Sequence, residues 1–196
     1  MDFISIFEDT LLDKAAIPSV KNNGQRAIGD IIEGNVIDQY KHQTNFIPAS
    51  GAKSTDDFSL EIDGVQVMVD VKTHNLNAEM SMPNLISMKK LRILLQDDTK
   101  ALVYNIVSYT HDEEAGTYSI SIKDKQIIPI HHLNLDALGI GALGWGQLQI
   151  KNLKKVGANL YNTTQTKEEF SKGIDNKYKE FAIKERNKWD KLLETL

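Results

Sequence analysis

The sequence contains no cysteine, which excludes disulfides and thiolate metal sites and is compatible with a cytoplasmic protein. No apolar run approaches the roughly 18 residues of a membrane-spanning helix, and the opening Met1-Asp2-Phe3 lacks the basic stretch that begins a secretory signal. Positive charge is not in excess either: 23 basic residues against 27 acidic ones give a net charge of −4. That balance counts against a non-specific nucleic-acid binder with a basic coat. It does not exclude a DNA enzyme, because local potential rather than net charge governs docking. No internal repeat and no low-complexity linker interrupts the chain. The 196 residues, 41% hydrophobic and 26% charged, therefore predict one globular domain over 1–196 with room for a sizeable core.

One stretch organises the rest. From Asp57 to Lys72 two arms of alternating apolar and polar residues flank Asp63-Gly64, a pair that favours a two-residue type I′ hairpin turn. Ile62 then pairs with Val65, and Asp57 falls opposite Asp70. Counting outward from the turn makes this a non-hydrogen-bonded pair, with Cα atoms roughly 4.5 Å apart. Period-2 alternation sends Phe58, Leu60, Ile62, Val65, Val67, Val69 and Val71 to a core, and Asp57, Ser59, Glu61, Gln66, Met68, Asp70 and Lys72 to the other face. Carboxylates facing each other across a ladder repel, so the pair calls for a cation. A hard divalent ion such as magnesium suits oxygen ligands of this kind. Asp57 and Asp70 would hold it with help from the Val71 carbonyl, and Lys72 beside it would hold a water or stabilise charge on a phosphate. The alternative is a solvated strand face with ordinary surface charge. Spacing alone leaves both open.

Around the hairpin, Phe3 to Lys14 predicts a short helix, and Ala27 to Tyr40, with Ile28, Ile31, Ile32, Val36 and Ile37, an amphipathic helix packed on the sheet. The loop Pro48 to Thr55 carries Lys53 and Ser54, residue types that hold a phosphate backbone and that are also ordinary turn residues. Thr73 to Met82 reads as a polar loop whose tip can reach DNA. Pro83 is expected to open a helix to about Leu95, with Asn84 capping its N-terminus and Lys89, Lys90 and Arg92 forming a basic side. Leu102 to Tyr109, Tyr118 to Ile122 and Ile127 to Ile130 read as strands, with a loop from His111 to Gly116. Gly139, Gly141, Gly144 and Gly146 surround Trp145 and lead into Gln147 and Gln149. These glutamines share a face if the segment is a strand, and glutamine can contact adenine bidentately. A buried, glycine-kinked strand is the other reading. Lys151, Lys154 and Lys155 would add phosphate contacts. Thr166 with Glu169 forms a capping box at the start of a long helix to about Leu193, with Phe170, Ile174, Tyr178, Phe181, Trp189 and Leu192 available to pack. Gly173 should weaken it locally.

Asp57 followed by Asp70-Val71-Lys72 resembles the PD-(D/E)XK nuclease motif. The run Asp70-Val71-Lys72-Thr73-His74-Asn75, with Met82-Pro83-Asn84-Leu85-Ile86-Ser87 after it, is similar to the corresponding run of HincII (HindII-type) restriction endonucleases. Weaker likenesses lie at Leu148-Gln149-Ile150 and Thr166 to Phe170. Two departures stand out: Asp56 occupies the place of the motif's proline, and the chain is shorter than the likeness leads one to expect. The resemblance implies an α/β fold (α+β, mixed sheet) with a restriction-endonuclease-like core of the EcoRV-like branch, flanking helices and a long C-terminal helix. It implies a type II enzyme that hydrolyses short, palindromic double-stranded DNA with Mg2+, leaving 5′-phosphate and 3′-hydroxyl ends. Asp57, Asp70 and Lys72 would be catalytic, and Asp57, Asp70 and Val71 would hold the metal. Glu33 would be an accessory acid, since related nucleases often draw one from this helix; its plain reading is a solvated glutamate. Thr73, Asn75, Ser81 and Asn84 join Lys53, Ser54, Gln147, Gln149 and Lys151 as DNA-binding candidates. A palindromic site further implies a homodimer and, genetically, a cognate DNA methyltransferase. The rivals are a structure-specific repair or junction nuclease of the same motif, a DNA-binding module with a degenerate metal site, and a plain structural domain.

Overall fold

The computed structural model describes residues 17–21, 25–51, 54–79, 83–114, 117–141, 146–151 and 157–195. The helix expected from Phe3 to Lys14 lies outside them, as do Lys53, Ser81, Trp145, Lys154 and Lys155. In chain order the elements are β1 (Ile17–Lys21), α1 (Gln25–Tyr40), β2 (Phe46–Pro48), β3 (Phe58–Ile62), β4 (Val65–Asn75), β5 (Asn84–Ser87), α2 (Met88–Leu95), β6 (Lys100–Glu114), β7 (Thr117–Pro129), β8 (Leu138–Gly141), β9 (Gln147–Ile150) and α3 (Lys167–Leu193). They fall into two units, Met1–Pro83 with Asp97–Ile130, and Asn84–Gln96 with His131–Leu196.

The first unit grows from the hairpin. Asp63 and Gly64 both take positive φ, 50° and 79°, as a type I′ turn requires, and β3 pairs with β4 from Phe58↔Val69 to Ile62↔Val65. This is the predicted register. A six-stranded sheet in the order β1-β7-β6-β4-β3-β2 surrounds it. The β4/β6 pair is parallel and the other pairings are antiparallel, so the sheet is mixed. Parallel neighbours need a crossover connection, which here spans residues 76–99. On one face α1 buries Ile28, Ile32, Val36 and Tyr40 against Phe58, Leu60, Val67, Val69 and Val71. Four-residue spacing puts these helix positions on one stripe. Tyr40 stacks on Phe58 at 4.9 Å between ring centroids.

Several boundaries differ from the sequence expectation. Strand β4 runs on to Asn75, taking in Thr73 and Asn75 that were expected in a loop, because β6 pairs with it residue for residue from Gln66↔Lys100 to Asn75↔Tyr109. Strands β6 and β7 form one long hairpin, so His111 to Glu114 is strand rather than loop and Ile127 to Pro129 belongs to β7.

In the second unit, β5, β9 and β8 form a three-stranded antiparallel sheet. Asn84 to Ser87 is therefore strand where a helix was expected. The helix starts at Met88, with Ser87 as its N-cap accepting from the Lys90 N–H at 3.4 Å, so Asn84 caps nothing. Thr166 and Glu169 form the full capping box of α3. Phe170 and Ile174 are buried, whereas Ile183, Trp189, Leu192 and Leu193 are exposed. No helix among the described residues is long and apolar enough to cross a membrane.

Candidate active site

The face of the β3–β4 hairpin opposite α1 is not evenly solvated: Glu61 is exposed and Asp57, Gln66 and Lys72 are partly buried, but two of its polar residues are buried. Asp70 is only 5% exposed and Ser59 0%. Both strands flanking Asp70 are occupied: β3 lies on one side, and on the other β6 brings Tyr104 into register with it. Burial raises the Asp70 carboxyl to about 7. The Lys72 ammonium, in direct contact with Asp70 Oδ1, pulls the other way, and Asp57 adds to the rise. Desolvation thus outweighs the ion pair, as expected for a carboxylate taken out of water with one partner. An ordinary surface strand has no such group.

Asp57 sits one residue before β3. Its backbone N–H donates to the Val69 carbonyl at 2.9 Å, and its Oδ2 accepts the Val71 N–H at 2.6 Å. The ladder ends at Phe58↔Val69, so Asp57 does not pair opposite Asp70 as the hairpin register predicts; its contacts with Val69 and Val71 still bring it close enough for its charge to act on Asp70. Glu33 of α1 is half-buried, and burial first, then Asp57, raises its carboxyl, while Lys72 lowers it. The accessory-acid candidate thus lies within electrostatic reach of Asp57 and Lys72.

Solved structures supply the comparison that bears on this arrangement. NlaIV restriction endonuclease is similar to this chain with a TM-score of 0.53 and 15% identity, over 87% of this chain and 74% of that one. The fold is that of a restriction endonuclease. No protein-family model matches the sequence, and no curated protein matches it. At 15% identity the likeness concerns the backbone, and the HincII-type likeness rests on the motif residues alone.

Set on the restriction-endonuclease fold, the DNA-binding candidates are variously engaged. The Ser54 hydroxyl donates to Asp56 Oδ1 at 2.5 Å. Thr73 lies under α1, its Oγ1 3.3 Å from where a Cβ on Gly29 would stand. Asn75 Oδ1 accepts the Asn77 N–H at 2.9 Å, closing a side-chain turn at the end of β4. In the second unit Asn84 and Gln149 are cross-strand partners, and Gln149 Nε2 donates to Asn84 Oδ1 at 2.5 Å. Gln147, Gln149 and Lys151 follow the two-residue period while Leu148 and Ile150 are buried, so the glutamines do share a face. Gly141 lies close beside them: a Cβ there would stand 2.6 Å from Gln149 Oε1, so the glutamine amide would have to swing aside. Lys151 Nζ donates to the Asp136 carbonyl at 2.9 Å.

Three features escaped the sequence reading. Tyr104 is wholly buried and its hydroxyl has no hydrogen-bond partner among the described residues; burial, then the Asp70 charge, pushes its phenol well up. His74 continues the Asp70–Lys72 face and meets Ser108, Nδ1 to Oγ 3.3 Å. Asp56 accepts from both Ser54 and Ser59. The first two depend on the parallel β4/β6 register, which no local pattern announces. The third was marked by hydroxyls two residues before and three after Asp56.

The donor set can be tested for a metal. Asp57, Asp70 and the Val71 carbonyl offer oxygen only, which suits a hard cation, and a buried carboxylate near half-protonation at neutral pH gains most from one. Among the described residues no three His, Asp or Glu side chains converge as a metal site.

Proposed function

We propose that this protein is a magnesium-dependent type II restriction endonuclease, cutting both strands of duplex DNA at a short palindromic site as a homodimer of HincII-type, EcoRV-like enzymes. The observation that carries the reading is the buried Asp70 beside Asp57 and Lys72, on the sheet of a restriction-endonuclease fold. Palindromic recognition and the homodimer follow from the motif likeness and from two-fold matching of protein to site. A cognate methyltransferase protecting host DNA belongs to the same reading.

Asp57 and Asp70, with the Val71 carbonyl, are the residues that would hold magnesium. The ion would polarise the scissile phosphate and lower the pKa of a bound water. Lys72 donates hydrogen bonds to the attacking water or to a non-bridging phosphate oxygen, stabilising the charge that builds there as the P–O bond to the 3′ oxygen breaks. Its contact with Asp70 holds the ammonium at that place before substrate arrives. The Val71 N–H fixes Asp57 Oδ2, so the carboxylate does not have to be ordered during the reaction. Glu33, within electrostatic reach of Asp57 and Lys72, is the candidate accessory acid. Asn84, Gln147 and Gln149 are the candidates for base contacts, and Lys151 for the backbone.

Incubating the protein with long duplex DNA and magnesium tests this directly. Discrete bands are expected, and Asp57→Ala, Asp70→Ala or Lys72→Ala should each abolish them while the melting transition stays cooperative. Cuts confined to junctions or flaps would make it a structure-specific nuclease. Bound but intact DNA would make it a binding module, and no interaction would leave a structural domain.

A further inference from the structure

Asp56 takes no part in the motif's chemistry, yet both of its oxygens are held. Ser54 Oγ donates to Oδ1 at 2.5 Å and Ser59 Oγ to Oδ2 at 2.6 Å. Gln66 Nε2, across the hairpin on β4, donates to Ser59 Oγ at 3.1 Å. Ser59 is fully buried, so its hydroxyl needs such partners. The result is a continuous run of donors ending on a carboxylate, from β4 through β3 to the residue just before Asp57. A carboxylate only accepts hydrogen bonds, and hydroxyls from both sides in sequence close the segment Ser54 to Ser59 around it.

Asp57 stands inside that closed segment and outside the regular strand. On its C-terminal side it is tied to β4 by its own N–H on the Val69 carbonyl and by the Val71 N–H on its carboxylate. On its N-terminal side the backbone leads into a loop, where the motif's proline would stiffen φ by its ring. Here no proline stands at that place.

We propose that Asp56 is a positioning residue for Asp57, fixing through Ser54 and Ser59 the backbone that aims the Asp57 carboxylate. The catalytic half of this inference rests on the nuclease reading of Asp57; the geometric half does not. A merely stabilising role would lower the melting point without displacing one carboxylate. The Val71 amide proton separates the two, because it reports where Asp57 Oδ2 lies, with or without catalysis.

The experiment compares the full-length protein with Asp56→Ala, Ser59→Ala and the double variant, by NMR of the Val71 amide and by single-turnover cleavage with magnesium. Ser59→Ala removes a single hydroxyl and serves if Asp56→Ala does not fold. Each single variant should shift the Val71 amide and speed its exchange about tenfold relative to its neighbours in β4. Each should slow cleavage about 10- to 100-fold, with DNA affinity in calcium unchanged, and the double variant should be little worse than either. An unmoved Val71 amide in a folded variant overturns the proposal, as does additive loss in the double variant. A responsive amide in a protein that cuts no DNA leaves the positioning role standing and removes the nuclease reading instead.

Discussion

At the scale of single residues, the buried carboxyl of Asp70 makes stability depend on pH. Its carboxyl titrates at about 7 in the folded chain against 3.8 in an exposed one, so the folded state binds its proton more tightly. The resulting stabilisation is complete below about pH 4 and is lost as pH rises through about 7. At about 1.4 kcal/mol for each tenfold change in proton affinity, it amounts to roughly 4 kcal/mol at most. His131, whose imidazole is lowered by burial from 6.5 to about 4, works in the opposite sense over the lower part of this range, in wild type and variant alike. Without metal, wild type should therefore lose melting temperature relative to Asp70→Asn between about pH 4 and about pH 7, and melt lower than it at about pH 8. Magnesium, which needs the ionised carboxylate, should raise the melting temperature more at the higher pH, and not in Asp70→Asn. A wild-type curve parallel to that of Asp70→Asn would show that Asp70 does not carry the dependence. The register from Phe58↔Val69 to Ile62↔Val65 was legible because a two-residue turn fixes it by local chemistry alone. The burial of Asp70 was not, since it depends on Tyr104, brought alongside from a distant strand.

At the scale of elements, the sequence spoke clearly where a cap or a turn marks a boundary and poorly where distant pairing decides it. The Thr166 capping box and the stripe of α1 needed only their own residues. Asn84 to Ser87 did not: Leu85, Met88, Leu91 and Leu95 follow helical spacing after a proline, and strand β5 exists because β9, some sixty residues on, offers it a partner. Gly173 in α3 is a similar case. By propensity alone, Gly173→Ala should stabilise the helix by about 1 kcal/mol. A Cβ there would stand 2.1 Å from Leu135 Cδ1, so the leucine, packed over the glycine, must move aside and the gain should vanish. In a Leu135→Ala background the same substitution should recover about 1 kcal/mol. Denaturant melts of the four variants check this, and equal effects in both backgrounds would show that Leu135 does not constrain the position.

At the scale of the whole molecule, the proposed action on DNA requires an acidic chain to place its cations locally. Lys89 and Lys90 are exposed on α2 and are candidates for phosphate contacts. Binding to duplex DNA in calcium should weaken with salt at a log–log slope of about −0.9 for each phosphate neutralised. Changing both lysines to alanine should flatten that slope while leaving the preferred sequence unchanged. A slope that does not move puts this side of α2 away from DNA. The expectation of one domain over 1–196 drew on the lack of any linker. The two units are assembled from interleaved segments, and such a division leaves no stretch of linker composition to read.

The hairpin also has a consequence for the order in which the molecule assembles. Its turn closes over two residues, a step of about 1–10 μs in isolated hairpins. Asp70 and Tyr104, by contrast, meet by parallel pairing across 34 residues of chain (104 minus 70), the kind of non-local contact that forms slowly. The two aspartates are therefore expected to come together first, while both are still in water. Only when β6 docks does Asp70 leave solvent. Between about pH 4 and about pH 7 the proton that Asp70 takes up on folding therefore belongs to that late docking step, and its uptake should lag behind closure of the hairpin.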